Sequence, residues 1–318
     1  PASRSPRKPE AAPRPLHPES RPRAGFFVAV FSSNYYRCGM AQPFGLGCDA
    51  AYPLELMLPY ASYQIRCMTR DHLSTAMRWA AREGWNPGLH DLDPLYNVDP
   101  QGFFMGWLGE GPVASISCVR QGGNHAFLGL YIVDPLLRGH GLGKAIWSAS
   151  LEHVKGCVVG LDGVVAQQDN YRRSGFELAW HNMRFKGWGR EAQGAPQGRV
   201  VPLSALPLEA LVAYDKAFHP APRPAFLRAW IHLPQSHALG WWEGGALRGY
   251  GVLRACREGH KLAPLCADTP AIAHALFEAL CSRVPVTEPV FMDVPDGNAV
   301  AVDLALHQGM EATFPTAR

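Results

Sequence analysis

Three features of this chain recur at a single offset of 134 positions: Gly106-Trp107 with Gly240-Trp241, Asp134 with Asp268, and Gly175-Phe176 with Gly309-Met310. The Gly-Trp pairs sit in strand-like runs before a glycine-containing turn. Each aspartate stands just ahead of a proline and a helical stretch, and each late glycine closes a unit. One spacing at three separate places predicts a duplicated fold. A chain of 318 residues accommodates two domains, and 47% hydrophobic against 18% charged residues gives each a core to bury.

The first unit has a readable order. Residues 63–68 alternate as a strand; 71–83 read as a helix with Leu73, Met77 and Ala80 on one stripe and Gly84 ending it. Strands are expected at 103–108, 113–119 and 127–133, a helix at 141–154, a strand at 158–166 and a last strand at 176–185. The Gly/Gln/Pro-rich stretch 189–198 reads as a linker. The expected division is a Pro/Arg-rich segment 1–60 read as disordered, a first domain 61–188, the linker, and a second domain 199–318. The apolar run 25–31 follows a basic tail as a signal sequence would. It is at the short limit, however, and seven prolines among residues 1–24 are unlike a signal peptide.

The formal charge of +3 is concentrated at the start. Arg4, Arg7, Lys8, Arg14, Arg21 and Arg23 against Glu10 and Glu19 give residues 1–24 a net +4, leaving the rest at −1. A near-neutral body argues against nucleic acid as a partner. No apolar run approaches the ~18 residues of a membrane helix, so no membrane partner is expected. The eight cysteines contain no C-x-x-C pair, which argues against a metal site; they read as free thiols of a reducing, cytoplasmic compartment.

Arg138-Gly139-His140-Gly141-Leu142-Gly143-Lys144 lies between a strand and an amphipathic helix. Glycines there let backbone N–H groups crowd round an anion, and the helix N-terminus adds its positive end, which suits a pyrophosphate. A Walker A loop is excluded because its first glycine would be Arg138 and its Ser/Thr Ala145. A dinucleotide fingerprint counted from Gly139 would place its third glycine on Lys144.

The pattern R-x-x-G-x-G, filled by Arg138, Gly141 and Gly143 between strand and helix, resembles the acetyl-CoA signature of the GNAT superfamily of N-acyltransferases. The element order over about residues 62–187 and Gly175-Phe176 resemble the same fold. The runs 83–88 and 168–176 resemble tandem GNAT proteins with a divergent second domain. The resemblance implies a mixed α/β fold of two tandem GNAT-like domains. It implies that the amides of Arg138, Gly139, His140, Gly141, Leu142 and Gly143 hold the pyrophosphate of acetyl-CoA, with Lys144 nearby. The strand carrying Tyr131, Ile132 and Val133 would splay and pair with the pantetheine arm. It also implies Tyr171, four residues before Gly175, as the general acid that protonates the departing thiolate. A tyrosine, with a pKa near ~10, holds that proton at neutral pH. The competing reading of Tyr171 is packing under its helix.

For the general base, Glu83, His90, Asp91 and Asp93 are the candidates, each also readable as a solvated loop residue; a base relayed through water, or none at all, fits equally. Trp85, Asn86 and Tyr96 are the expected walls of the amine pocket. Arg172 and Arg173 read as a solvated helix face. Shifted by 134, Arg138, Gly141 and Gly143 become Ile272, Ala275 and Phe277, and Tyr171 becomes Ala305. The second unit therefore reads as one that has lost coenzyme binding, packs on the first and shapes the acceptor site. Asp268-Thr269-Pro270 reads as a helix cap, and 293–301 resembles the Asn-x-x-Ala stretch of ordinary GNAT domains. The final strand is expected to be short. The expected activity is direct acetyl transfer to a primary amine, small-molecule or peptide, with the oligomeric state open. The alternatives are a non-catalytic acyl-CoA sensor or scaffold, and a transferase of longer acyl groups.

Overall fold

The computed structural model describes residues 26–28, 62–191, 199–219 and 221–318. Its strands are β1 (Phe26–Val28), β2 (Tyr63–Cys67), β3 (Phe103–Leu108), β4 (Gly111–Arg120), β5 (His125–Val133), β6 (Val158–Leu161), β7 (Gly163–Val164), β8 (His181–Trp188), β9 (Val200–Pro202), β10 (Ser236–Glu243), β11 (Ala246–Ala255), β12 (His260–Ala267), β13 (Pro289–Pro295) and β14 (Glu311–Ala317). The α-helices, in chain order, are α1 (Arg70–Arg82), α2 (Leu92–Val98), α3 (Leu142–His153), α4 (Gln168–Arg173), α5 (Leu208–Asp215), α6 (Pro224–Trp230), α7 (Pro270–Cys281) and α8 (Ala299–His307).

One sheet runs β2-β3-β4-β5-β6, antiparallel except for the parallel β5–β6 pair. The other runs β7-β14-β8-β13-β12-β11-β10-β9, with β1 added against β12. Helix α3 covers the first sheet by burying Ile146 and Trp147 against Ile116, Leu128, Val159 and Phe176. Helix α7 covers the second with Leu276, Phe277 and Leu280 on Leu253, Leu265 and Met292. A third cluster belongs to both halves: Leu73, Leu95, Phe103 and Met105 pack with Leu211, Phe226, Trp230 and Tyr250.

The first half lends its strands β7 and β8 to the second sheet. Both neighbours of β8 come from the second half, since it pairs antiparallel with β13 on one side and β14 on the other; β14 also pairs with β7. The final strand is not short: seven residues of β14 form it, because β8 offers a free edge along its length.

Two expected strands differ in extent. The run at 158–166 stops at Asp162, whose carboxylate accepts from Asn182 (3.1 Å) and pairs with Arg318, and continues only as β7 before a 3-10 turn at Val165–Gln167. The last strand of the first half begins at His181 rather than 176; ahead of it, Ala179 N–H donates to Arg318 O (2.8 Å) and Trp180 O accepts from Arg318 N–H (2.9 Å). Thr269 caps α7 as read, its hydroxyl oxygen accepting from Ile272 N–H (3.3 Å). Of the segment 1–60, all but Phe26–Val28 lies outside the described residues, as do 192–198 of the linker; those three residues form a strand. Among the described residues no helix is long and apolar enough to cross a membrane. The six described cysteines are thiols without a disulfide.

Candidate active site

The glycine loop forms as a tight entry into α3. Gly139 and Gly141 have φ of +85° and +82°, a left-handed backbone that costs an L side chain about 1–2 kcal/mol. Gly143 serves space instead: a Cβ there would lie 2.6 Å from Tyr131 Oη and 3.1 Å from Val133 Cγ2. A backbone cradle this bare, at the N-terminus of a twelve-residue helix, suits the diphosphate of a coenzyme. The Arg138 side chain faces away from the cradle. Its Nε donates to Val133 O (3.0 Å) and its Nη2 pairs with Glu83 (2.6 Å), tying the loop to β5 and to the end of α1. His140 and Lys144 lie on the exposed flank of the loop.

Beside the loop, β5 and β6 part. Their pairing covers only residues 125–128 of β5, so beyond Leu128 the β5 backbone has no strand partner on that side among the described residues. A bulge deforms the same stretch: Ser115 opposes Ile132 and Ser117 opposes Gly129, and Leu130 adopts φ +52°. The Leu130 carbonyl accepts from Ser115 Oγ (2.8 Å), which holds the bulge in place. Bulges of this kind re-aim backbone N–H groups out of the ladder.

Tyr171, on α4, lies over Gly163, where a Cβ would meet its ring at 2.1 Å. It stacks on Trp147 (centroids 6.0 Å apart), which meets Tyr131 edge-on at 5.1 Å. Burial, with the neighbouring Tyr131, pushes the Tyr171 phenol up to about 12, so it stays protonated at neutral pH. Asn170, Arg172 and Arg173 face solvent; Arg172 pairs with Asp169 (2.9 Å).

These parts border one cavity of about 690 Å3. Its lining joins Leu130, Tyr131, Ile132, Val133, Arg138, Gly139, Gly141, Gly143, Lys144 and Tyr171 to Glu83, Trp85 and Asp91, and then to Arg254, Lys261, Asp293 and Phe314 of the second half. Asn86 and Tyr96 are not among its lining residues. Asn86 clasps the second half, its amide exchanging two bonds with the Glu258 backbone (2.9 and 3.0 Å). Tyr96 donates to Met68 O (3.1 Å) and packs against Phe103. His90 and Asp93 sit at the surface, with Asp93 taken by Arg70 (3.2 Å).

Asp91, by contrast, is no solvated loop residue. It is 4% exposed, pairs at two points with Arg254 (2.5 and 3.1 Å) and accepts from Gly88 N–H (3.0 Å). Burial alone would raise its pKa, but the Arg254 guanidinium more than offsets that and holds the carboxyl below the usual range. Nearby, Arg184 donates to both oxygens of Asp293 (2.6 and 2.8 Å) and to Trp85 O (3.0 Å). Lys261 donates to Asn86 O (3.2 Å), and burial, then the Arg184 charge, lower its pKa. The sequence pattern singles out none of Arg184, Arg254 and Lys261; each is a basic residue within a strand, two of them sharing that strand with a second basic residue (Lys186 and Arg248). Among the described residues no group of His, Cys, Asp and Glu could hold a metal ion.

The comparisons with known proteins agree with this geometry. Residues 69–176 match the acetyltransferase (GNAT) family and residues 211–318 an acetyltransferase (GNAT) domain. A curated relative, the holothin acyltransferase of Pseudoalteromonas sp. (strain SANK 73390), is 28% identical over 264 residues, covering 83% of this chain and 90% of that protein. A putative acetyltransferase from Pyrococcus horikoshii superposes with a TM-score of 0.67 at 18% identity, over 86% of this chain and 92% of that one. A tandem GNAT protein from the clavulanic acid biosynthesis pathway gives a TM-score of 0.57 at 15% identity, over 80% and 97%. The matched segments are consecutive and both carry the fold, so the chain belongs to the GNAT superfamily as an acyltransferase with two GNAT domains in tandem.

Proposed function

We propose that the chain transfers the acetyl group of acetyl-CoA directly to a primary amine, with residues 61–188 as the catalytic domain and 199–318 as a degenerate partner that completes the acceptor pocket. One observation carries this reading: a single cavity is bordered at one end by the glycine loop, the unpaired β5 edge and Tyr171, and at the other by side chains of the second domain.

The residues divide the work as follows. The amides of Arg138 to Gly143 hold the diphosphate, and the β5 backbone from Gly129 to Val133 pairs with the pantetheine arm. Bound acyl-CoA supplies the acyl group as a thioester. A backbone N–H at the Leu130 bulge faces the carbonyl oxygen and stabilises the charge that develops there as the amine attacks. Tyr171 gives its proton to the departing thiolate; a phenol that stays protonated to about 12 is available for this over the whole working range. Asp91 is a poor base, since Arg254 keeps it ionised and both its oxygens engaged. Glu83, also on the cavity wall, is held by Arg138 (2.6 Å), so the amine gives up its proton to water.

The far wall sets acceptor choice. Arg184, Arg254 and Lys261 face two carboxylates, Asp91 and Asp293, and this surplus of donors favours an acceptor whose non-reacting end accepts hydrogen bonds. Holothin, the acceptor named for the 28% identical relative, is the first compound to test. The test is a thiol-release assay with acetyl-CoA and longer acyl-CoAs against a panel of holothin, amino acids, simple amines and lysine peptides. Amine-dependent release with acetyl-CoA supports the proposal. Release with only longer donors reassigns the acyl group, and release with none of the acceptors refutes it.

A further inference from the structure

The 134-residue offset aligns β3, β4 and β5 with β10, β11 and β12, and it maps the coenzyme edge of β5 onto β12: residues 129–133 become 263–267. The two edges have the same backbone phase. In the first domain Asp134 N–H donates to Val113 O on β4 (2.9 Å); in the second Asp268 N–H donates to Arg248 O on β11 (2.9 Å). Alternation along a strand then turns the N–H and C=O of Val133 away from β4, and those of Leu265 and Ala267 away from β11. Both domains also splay at the same place. In the first, β5 and β6 pair only over 125–128; in the second, β12 and β13 pair only at His260 with Val290 and Lys261 with Phe291.

The two slots differ in what fills them. On the first, no strand covers the β5 edge among the described residues. On the second, β1 pairs antiparallel with β12, Phe26 opposite Ala267, Phe27 opposite Cys266 and Val28 opposite Leu265. Strand β1 also approaches β13 and α8, the elements that would flank an arm lying in that slot. The groups that would pair with a pantetheine arm are thus already paired with this chain's own backbone.

We propose that Phe26–Val28 is the permanent occupant of the second domain's former coenzyme slot, so that the chain closes that site itself and holds one acyl-CoA. Loss of the loop glycines removes the phosphate cradle; the inserted strand accounts for what became of the edge left behind. A buried edge needs partners for its N–H and C=O groups, and a short extended segment supplies them. Segment 1–60 thereby contributes a strand to the second domain. The inference does not depend on which amine is acetylated.

Hydrogen exchange on the full chain tests it directly. In the wild-type protein, peptides covering 262–268 should exchange slowly with or without coenzyme A, while those covering 128–134 should become protected only when coenzyme A is added. In a Phe26→Pro/Val28→Pro variant, which removes two N–H groups from β1, exchange over 262–268 should rise at least about tenfold. Peptides of β3 and β4 should be unchanged, which reports that the variant is folded. Calorimetric titration of the wild-type protein should give one coenzyme A per chain. Fast exchange over 262–268 in the wild type, coenzyme-dependent protection there, or a second bound coenzyme A would each overturn the proposal without help from any variant.

Discussion

Asp91 and Arg254 stand 163 residues apart in sequence, yet their side chains meet at two points in the seam between the domains, Arg254 Nε lying 2.5 Å from Asp91 Oδ1. Both are almost wholly buried, at 4% and 2% exposure. Taking one partner away strands the other's charge, which typically costs about 3–5 kcal/mol. Arg254→Met should therefore destabilise strongly in urea denaturation. The double variant Asp91→Leu/Arg254→Met should recover most of that loss, because neither charge is then left alone.

Acid should loosen the same seam and, with it, the Asp215–Arg223 pair inside the second half. Asp91, Asp293 and Asp215 all have pKa values held below the ordinary carboxylate range: burial opposes this, and the guanidiniums of Arg254, Arg184 and Arg223 respectively outweigh it. For groups depressed in the folded state, the stabilisation is complete above the unfolded pKa of about 3.9 and is lost as pH falls through the lower folded values. The melting temperature should be insensitive to these three groups near neutrality and fall steeply below about pH 4. Scanning calorimetry across pH 2–7 checks the window.

Tyr171→Phe removes the proton donor and little else, since the ring keeps its stack on Trp147. General-acid loss is expected to lower kcat by about 10²-fold or more, with KM for acetyl-CoA nearly unchanged. In the wild-type enzyme no basic limb from Tyr171 should appear until pH nears about 12. An unaltered kcat in the variant would leave the ring with a packing role alone.

Gly143→Val tests the cradle. The added Cβ falls on Tyr131 Oη and Val133 Cγ2, at the junction of loop and arm slot, while valine remains compatible with a helix. Affinity for coenzyme A should drop at least about tenfold with a small change in melting temperature; isothermal titration alongside a thermal melt separates the two.

Lys261→Met addresses the acceptor end. Its ammonium is buried in the cavity wall and bonded to Asn86 O. The variant should raise KM for the acceptor severalfold and leave KM for the donor unchanged, as steady-state kinetics in both substrates would show.

The glycine-loop end of this cavity was legible in the sequence because it is local. Glycines at 139, 141 and 143 mark backbone conformation and close approach directly, and Tyr171 lies a fixed step from Gly175. The strand-helix order followed from periodicity for the same reason. The far wall of the cavity is assembled from residues such as Trp85, Arg184, Arg254 and Lys261, which come together only when the domains dock, and no local pattern announces a partner 163 positions away. Asn86 and Tyr96 show the converse: a polar or aromatic side chain near a turn looks available until tertiary contacts to Glu258 and Met68 claim it. The placement of β8 between β13 and β14 was equally hidden, because alternation specifies a strand and not its neighbours.

That shared sheet has a consequence for how the protein can be handled. With β8 lying between β13 and β14, and β14 in turn beside β7, the larger sheet cannot be completed by either half alone. Expressing the halves as separate polypeptides should yield fragments with raw, sticky edges that regain order only on meeting one another. Each half thus supplies backbone partners that the other cannot replace, and removing either would leave paired strands of its neighbour bare.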